Sequence, residues 1–242
     1  QSFKVQEIRK KTINRNPSPP FITSTLQQEA ARKLGFGATR TMRTAQSLYE
    51  GTDLGGETVG LITYMRTDGV QLAQSALESI RRLIDKTYGD KYLPEQPRFF
   101  KSKAKKAQEA HEAIRPTDVS RHPKEMRRYL SDDEARLYEL IWKRTVACQM
   151  SPAKIDQVSV DFMGEDQKTM LGATGSTIAF DGFIKVYMEG RDDPEDSEGD
   201  QEGGSASTFG EDNLLPPLKE GETIDLKDVT PEQHFTKPPP RF

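Results

Sequence analysis

The chain of 242 residues is 33% hydrophobic and 30% charged, a balance that allows a sizeable core and leaves part of the length solvated. Its single cysteine, Cys148, excludes an internal disulfide and a cysteine-based metal site, and fits a reducing, cytoplasmic setting. No apolar run is long enough to span a membrane, and the first stretch, QSFKVQEIRKK, lacks the apolar core that a signal peptide needs. Because the first residue is glutamine, we expect the chain to be part of a longer protein.

Charge is divided unevenly along the chain. Residues 1–150 carry 27 Lys and Arg against 18 Asp and Glu, a net charge of +9, whereas residues 151–242 carry 8 against 20, a net charge of -12. The first part could therefore attract a polyanion, which the second part would repel. An ordinary solvated surface explains the basic excess equally well.

Three elements are predicted before residue 52. Alternating apolar and polar residues over 1–13 predict a strand, which the prolines that follow must end. The stretches TLQQEAARKLG (25–35) and TRTMRTAQSLYEG (39–51) predict two short helices in a helix-turn-helix-like arrangement. The buried stripe of the second helix is expected to contain Met42, Ala45 and Leu48 or Tyr49.

The middle of the chain is predicted to be mainly helical. Residues 60–65, GLITYM, are β-branched and aromatic and predict one short strand. Helices are predicted over 72–89, over 107–117, where Pro116 ends the helix, and over 131–150, which opens with a Ser-x-x-Glu capping box.

The pattern changes from Ser151 onward. Short runs of period 2, split by Gly and Asp, predict β structure in IDQVSVDFMG, TMLGATGSTIAFDGFIKVYMEG and GETIDLKDVT. Residues 189–213 are too acidic and too poor in apolar side chains to pack, so we expect a disordered loop or linker there. The sequence as a whole predicts an α+β fold.

The first candidate for chemistry is Tyr64. A phenol with a pKa of about 10 is a weak nucleophile at neutral pH and needs a base or a nearby cation. Arg66 lies two residues further along the predicted strand and so would share its face. Its guanidinium matches two oxygens of a phosphate, which makes a phosphoryl group the expected electrophile. On residue chemistry alone, a structural tyrosine beside an arginine is the more common arrangement.

A second cluster lies in AHEAIRPTD, residues 110–118. On the predicted helix His111 and Arg115 are four residues apart and share a face, so His111 could donate to one phosphate and Arg115 could hold another. One histidine with a single neighbouring carboxylate does not close a coordination shell, so no metal site is expected. A helix end with capping charges is the alternative interpretation.

Three stretches, in this order and at these distances, resemble the central region of bacterial DNA topoisomerase I, a type IA topoisomerase. They are PPFITSTLQQEAARKLGFGATRTMRTAQSLYEG, GLITYMRTD and AHEAIRPTD, and the resemblance covers roughly residues 15–150. Met65, directly after the tyrosine, favours topoisomerase I over topoisomerase III.

The resemblance implies roles for individual residues. Tyr64 would attack a backbone phosphate of single-stranded DNA and become linked to the 5′ phosphate, and Arg66 would position that phosphate. His111 and Arg115 match the histidine and arginine of the family motif, and they are expected to contact DNA together with Thr67 and Asp68.

The resemblance also implies an architecture. A helical domain over 22–150 would carry the tyrosine and be inserted between strands of a β-rich arch, which would occupy 1–21 and 151–242 with the acidic loop at about 189–213. Family members hold Mg²⁺ in an acidic Toprim domain, which this sequence lacks.

By the same resemblance, the complete enzyme would relax negatively supercoiled DNA without ATP. This chain alone would be inactive, because it lacks the Toprim domain. Its partners would be single-stranded and negatively supercoiled DNA and the remaining domains of the same enzyme, in the cytoplasm near the nucleoid and away from membranes. A non-catalytic nucleic-acid-binding module and a purely structural hinge are the alternatives that the residues leave open.

Overall fold

The computed structural model describes residues 2–101, 111–188 and 215–230. Within them the chain forms two compact units, which we call the sheet unit and the helical unit. The sheet unit contains residues 2–15, 153–180 and 215–230, and the helical unit contains the described residues of 16–152 and 181–188. The elements in chain order are β1 (Ser2–Arg15), α1 (Thr23–Leu34), α2 (Ala38–Glu50), β2 (Thr52–Asp53), β3 (Thr58–Val59), α3 (Gln74–Tyr88), α4 (Pro123–Met126), α5 (Asp132–Ala147), β4 (Ala153–Gly164), β5 (Met170–Phe180) and β6 (Thr223–Asp225).

The sheet unit is a four-stranded antiparallel sheet with the strand order β5-β4-β1-β6. Apolar side chains recur at alternate positions in the first residues of β1 and the second half of β4, so one face of this part of the sheet is buried, as the period-2 pattern predicted. A register shift between Val5 and Glu7 marks a bulge in β1. The buried residues of this face are Phe3, Val5, Val160 and Phe162.

Helix α5 forms the core of the helical unit. Ten of its residues are buried, and the indole N–H of Trp142 donates to the Val119 carbonyl at 2.9 Å. Arg144 is buried too, which the sequence did not indicate; its Nε donates to the Pro19 carbonyl at 2.6 Å, and its guanidinium lies 4.9 Å from the centre of the Phe21 ring. Helix and sheet in separate units confirm the α+β class.

The β structure predicted over TMLGATGSTIAFDGFIKVYMEG ends at Phe180, and Gly182–Lys185 form a 3₁₀ turn instead. Two further predicted elements are wrong. The strand predicted over 60–65 is reduced to an isolated bridge between Ile62 and Pro116, because its backbone bonds to two separate segments, at Leu48 and at Arg115, and not to one continuous strand. The helix predicted over 107–117 is wrong where the structure describes it, from residue 111 onward: those residues are extended, because their backbone pairs with three distant segments. The bridges are Glu112 with Gln71, Ile114 with Phe21 and Pro116 with Ile62.

Other predictions fall outside the described residues. The acidic stretch 189–213 is among them. No helix in the part of the chain that the structure describes is long and apolar enough to cross a membrane.

The predicted capping box at the start of α5 is confirmed. The Ser131 hydroxyl accepts the Glu134 N–H, and the Glu134 carboxylate accepts the Ser131 N–H at 2.9 Å. Burial raises the pKa of Glu134, but hydrogen bonds from Ser131 and Ser47 outweigh it, so the pKa lies below the ordinary value.

Replacing Ser131 with alanine is expected to lower the free energy of unfolding by about 1 kcal/mol near neutral pH, because the cap is lost. A carboxylate whose folded pKa is lowered stabilises the fold above its unfolded pKa, and this stabilisation is lost as the pH falls through the folded pKa. The difference from wild type should therefore shrink below about pH 4. Urea unfolding at pH 7 and below about pH 4 measures the difference in the free energy of unfolding. Ser24→Ala, at an exposed serine, is the control. Equal stability of wild type and Ser131→Ala at pH 7 would contradict the prediction.

Candidate active site

Tyr64 lies on an extended segment between β3 and α3, which we call the tyrosine segment (residues 60–69). The side chains of Tyr64, Arg66 and Asp68 are exposed, whereas those of Met65 and Thr67 are buried. The alternation expected of a strand therefore persists without a regular ladder of hydrogen bonds. Tyr64 is 48% exposed and accessible to a large substrate.

The tyrosine segment is bonded to residues 111–117, which we call the histidine segment. The Thr63 N–H donates to the Arg115 carbonyl at 2.9 Å, and the Arg115 N–H donates to the Thr63 hydroxyl at 3.0 Å. The same hydroxyl donates to the Ala113 carbonyl at 2.7 Å. Two motifs that are about 45 residues apart in sequence are thus joined next to Tyr64. The sequence gives no sign of this role of Thr63, because threonine is common in strands.

Thr67 fixes the far side of the tyrosine segment. It is buried, its hydroxyl accepts the Gly69 N–H at 3.0 Å, and its carbonyl accepts the N–H of Thr23 at 3.0 Å. The Thr23 hydroxyl in turn donates to the Met65 carbonyl at 2.7 Å. These bonds tie the segment to the first residue of α1, so Thr67 shapes the turn that places Arg66 at the surface.

His111 is exposed and lies at the start of the described part of the histidine segment. Its backbone carbonyl lies so close to Gly69 that a Cβ atom there would be only 2.1 Å from the carbonyl oxygen. Because this segment is extended, His111 and Arg115 do not share a helix face, and that expectation is wrong. Gly69 is needed for close approach of the two backbones.

Arg115 is held inside the helical unit, with 13% of its side chain exposed. Its guanidinium pairs with Glu112 at 2.7 Å and donates to the Pro116 carbonyl at 2.9 Å. Glu112 also accepts the N–H of Ala73, just before α3. The arginine and the glutamate therefore link the histidine segment to α3, and a DNA contact through Arg115 stays a prediction.

Tyr49, near the end of α2, is the nearest aromatic neighbour of Tyr64 among the described residues: the ring centroids are 5.3 Å apart in an edge contact. The stripe that α2 buries consists of Thr41, Thr44, Ala45 and Leu48, so Leu48 and not Tyr49 lies on the predicted face, and Met42 is only partly buried. The helical period gives the reason, because Leu48 is three residues after Ala45 and four after Thr44, whereas Tyr49 turns away.

A cavity of about 240 Å³ lies beside Arg115 and does not include Tyr64. Thr145 and Asp118 are among its lining residues. Burial raises the pKa of Asp118, but hydrogen bonds from Ser120 and the charge of Arg121 together lower it by more than burial raises it. The pKa of Asp118 is therefore below its ordinary value.

In the described ranges, no three His, Cys, Asp or Glu side chains are grouped to hold a metal ion.

The family model described as DNA topoisomerase matches residues 1–242, and the chain belongs to this family.

Individual relatives and a solved structure agree with this family assignment. The chain is 55% identical over 242 residues to DNA topoisomerase 1 of Rickettsia felis, covering 100% of this chain and 30% of that protein. It is 50% identical over 239 residues to DNA topoisomerase 1 of Xylella fastidiosa strain Temecula1, covering 98% and 28%. The structure of full-length topoisomerase I from Thermotoga maritima matches with a TM-score of 0.72 and 35% identity, over 92% of this chain and 32% of that one. The chain thus spans about 30% of the length of these relatives.

Replacing Gly69 with alanine tests the close approach of the two segments. We expect a loss of roughly 2 kcal/mol in the free energy of unfolding, because the added methyl group meets a backbone carbonyl that cannot rotate away. Urea unfolding measures the loss. Gly172→Ala is the matched control, since the nearest atom to its Cβ is 3.9 Å away. If both variants are equally stable, the segments are not packed as described.

Proposed function

We propose that the chain is the central cleavage part of a type IA DNA topoisomerase, which relaxes negatively supercoiled DNA through a transient break in one strand. The observation that carries the proposal is the exposure of Tyr64, between the partly buried Thr63 and the buried Met65, on a segment whose backbone is bonded on both sides. A fixed nucleophile at the surface suits a polymer substrate better than the cavity beside Arg115 does.

The proposed reaction is a transesterification. The phenol oxygen of Tyr64 attacks a backbone phosphorus of single-stranded DNA, and the bond from phosphorus to the 3′ oxygen of the preceding nucleotide breaks. The tyrosine is then joined to the 5′ phosphate, and the proton that the phenol loses is balanced by the proton that the leaving 3′ oxygen gains to become a hydroxyl. Attack by this hydroxyl reverses the step. One ester replaces another in each direction, so the reaction needs no ATP.

Arg66 is the residue proposed to stabilise the charge on the transferring phosphoryl group. Its exposed guanidinium has five N–H donors in a planar fork that can bind two phosphate oxygens. Donors that are already in place when charge develops lower the barrier. His111 and Asp68, which are exposed near the ends of the two segments, are proposed to contact the DNA on either side.

Thr67 and Arg115 complete the proposed DNA site, and their burial supports a contribution through the backbone positions they fix. By the family resemblance, Mg²⁺ would be held by a Toprim domain outside this chain. The described residues do not fit a magnesium site, and no step of the proposed reaction is assigned to the ion. The cytoplasm near the nucleoid is the proposed location.

The Tyr64 assignment is tested in the complete enzyme that contains this chain, using a single-stranded oligonucleotide labelled at its 3′ end. The wild type should give a labelled covalent adduct that survives denaturation, and Tyr64→Phe should give none, because the nucleophilic oxygen is missing. Tyr129→Phe, another partly exposed tyrosine of the helical unit, is the matched control and should behave as wild type.

An adduct of normal yield with Tyr64→Phe would sink the assignment. Absence of any adduct, with salt-dependent DNA binding that survives Tyr64→Phe, would favour the non-catalytic binding module, which the net charge of +9 over residues 1–150 allows. The isolated chain should give no adduct, and it should regain the activity when mixed with a separately expressed Toprim-bearing part.

Arg66 variants separate binding from chemistry. Arg66→Ala should slow single-turnover cleavage by on the order of 100-fold, the usual effect of removing one transition-state donor. Arg66→Lys should recover part of this loss, because it restores the charge without the planar fork. Equilibrium binding of single-stranded DNA at fixed salt should weaken only a few-fold, since one phosphate contact is removed. Arg127→Ala, which removes an exposed guanidinium paired with Asp132, is the control, and an unchanged cleavage rate in Arg66→Ala would refute the role.

A further inference from the structure

Tyr49 and Tyr64 form a pair of aromatic side chains on the surface of the helical unit. They are 41% and 48% exposed, and their rings meet in an edge contact with an interplanar angle of 62°. Leu48, the preceding residue, fills the core, so Tyr49 is not needed to bury the helix. Two half-exposed aromatic rings in contact call for an explanation other than core packing.

The backbone fixes this contact. The Leu61 N–H donates to the Leu48 carbonyl at 2.7 Å, which joins the tyrosine segment to the last turn of α2. A Cβ atom at Gly60 would lie 2.6 Å from the Tyr49 carbonyl oxygen, so the two chains approach as closely as glycine allows. The two backbones that carry the rings are therefore held side by side.

We propose that Tyr49 is a positioning residue for Tyr64, an inference that rests on the proposed function of Tyr64 as the nucleophile. A half-exposed tyrosine can occupy several χ1 rotamers, and only one of them aims its hydroxyl at a given phosphorus. The ring of Tyr49 restricts this choice by an edge contact that favours one arrangement of the two rings. The reacting oxygen then meets the phosphate close to the in-line geometry of attack.

The positioning role can be distinguished from other roles of the Tyr49 side chain. The edge contact involves the rings, so the hydroxyl of Tyr49 is not required and phenylalanine should replace it. A different role for an exposed aromatic ring beside a DNA site is to stack on a base, which would strengthen binding of single-stranded DNA. Positioning acts on the rate of the bound complex and stacking acts on affinity, so the two roles give different measurements.

The experiment compares Tyr49→Ala, Tyr49→Phe and the control Phe99→Ala, which removes a 74% exposed ring elsewhere in the helical unit. Each variant is made in the complete enzyme. Single-turnover adduct formation is measured at saturating single-stranded oligonucleotide, and the dissociation constant is measured by titration. Tyr49→Ala should lower the saturated rate about tenfold and change the dissociation constant less than about twofold. Tyr49→Phe and Phe99→Ala should stay within about twofold of wild type.

The outcomes separate this inference from the proposed function. If wild type forms no adduct, the proposed function fails and the inference fails with it. If wild type forms the adduct and Tyr49→Ala matches its rate, only the inference fails. A weaker dissociation constant with an unchanged saturated rate would show base stacking and overturn the positioning role. Should Tyr49→Ala lower the melting temperature, Tyr49→Leu retains bulk without the ring, and it is expected to show the same loss of rate.

Discussion

The hydroxyl of Thr63 accepts the Arg115 N–H and donates to the Ala113 carbonyl, and these bonds join the tyrosine segment to the histidine segment. A hydroxyl is suited to this position because it donates and accepts at once. The bonds satisfy backbone groups that neither segment could satisfy alone, because neither belongs to a helix or a complete sheet. The exposed side chains of Tyr64 and Arg66 depend on this pairing, which holds the backbone beneath them.

The anchors of the tyrosine segment come from elements that are far apart in sequence. Thr23 binds it at the start of α1, Leu48 at the end of α2, and the histidine segment along its length. Each anchor bonds backbone atoms of the tyrosine segment, so the fold places Tyr64 while its side chain stays at the surface. The proposed attack of Tyr64 on DNA would need such rigid support, because the proposed substrate is a flexible polymer.

Periodicity predicted the long elements well. The helix with the Ser131 capping box and the strands after residue 151 could be read from the sequence because their patterns extend over ten or more residues. The two short motifs that carry the site were harder to predict. GLITYM has the composition of a strand and HEAIRP the spacing of a helix turn, yet both are extended connections whose backbone partners are remote in sequence, and local propensity cannot report such pairing.

The sequence by itself determined the family, since the order and spacing of its motifs are enough to recognise it, and it determined Tyr64 and Arg66 as the candidate site. It also fixed the α+β class through the period of its apolar residues. Only the tertiary structure decided that Arg115 lies inside, that Thr63 and Thr67 bind backbone, and that Tyr49 meets Tyr64. The reason is physical: exposure and contact depend on which segments pair across the fold, and pairing between remote segments leaves no periodic trace in the sequence.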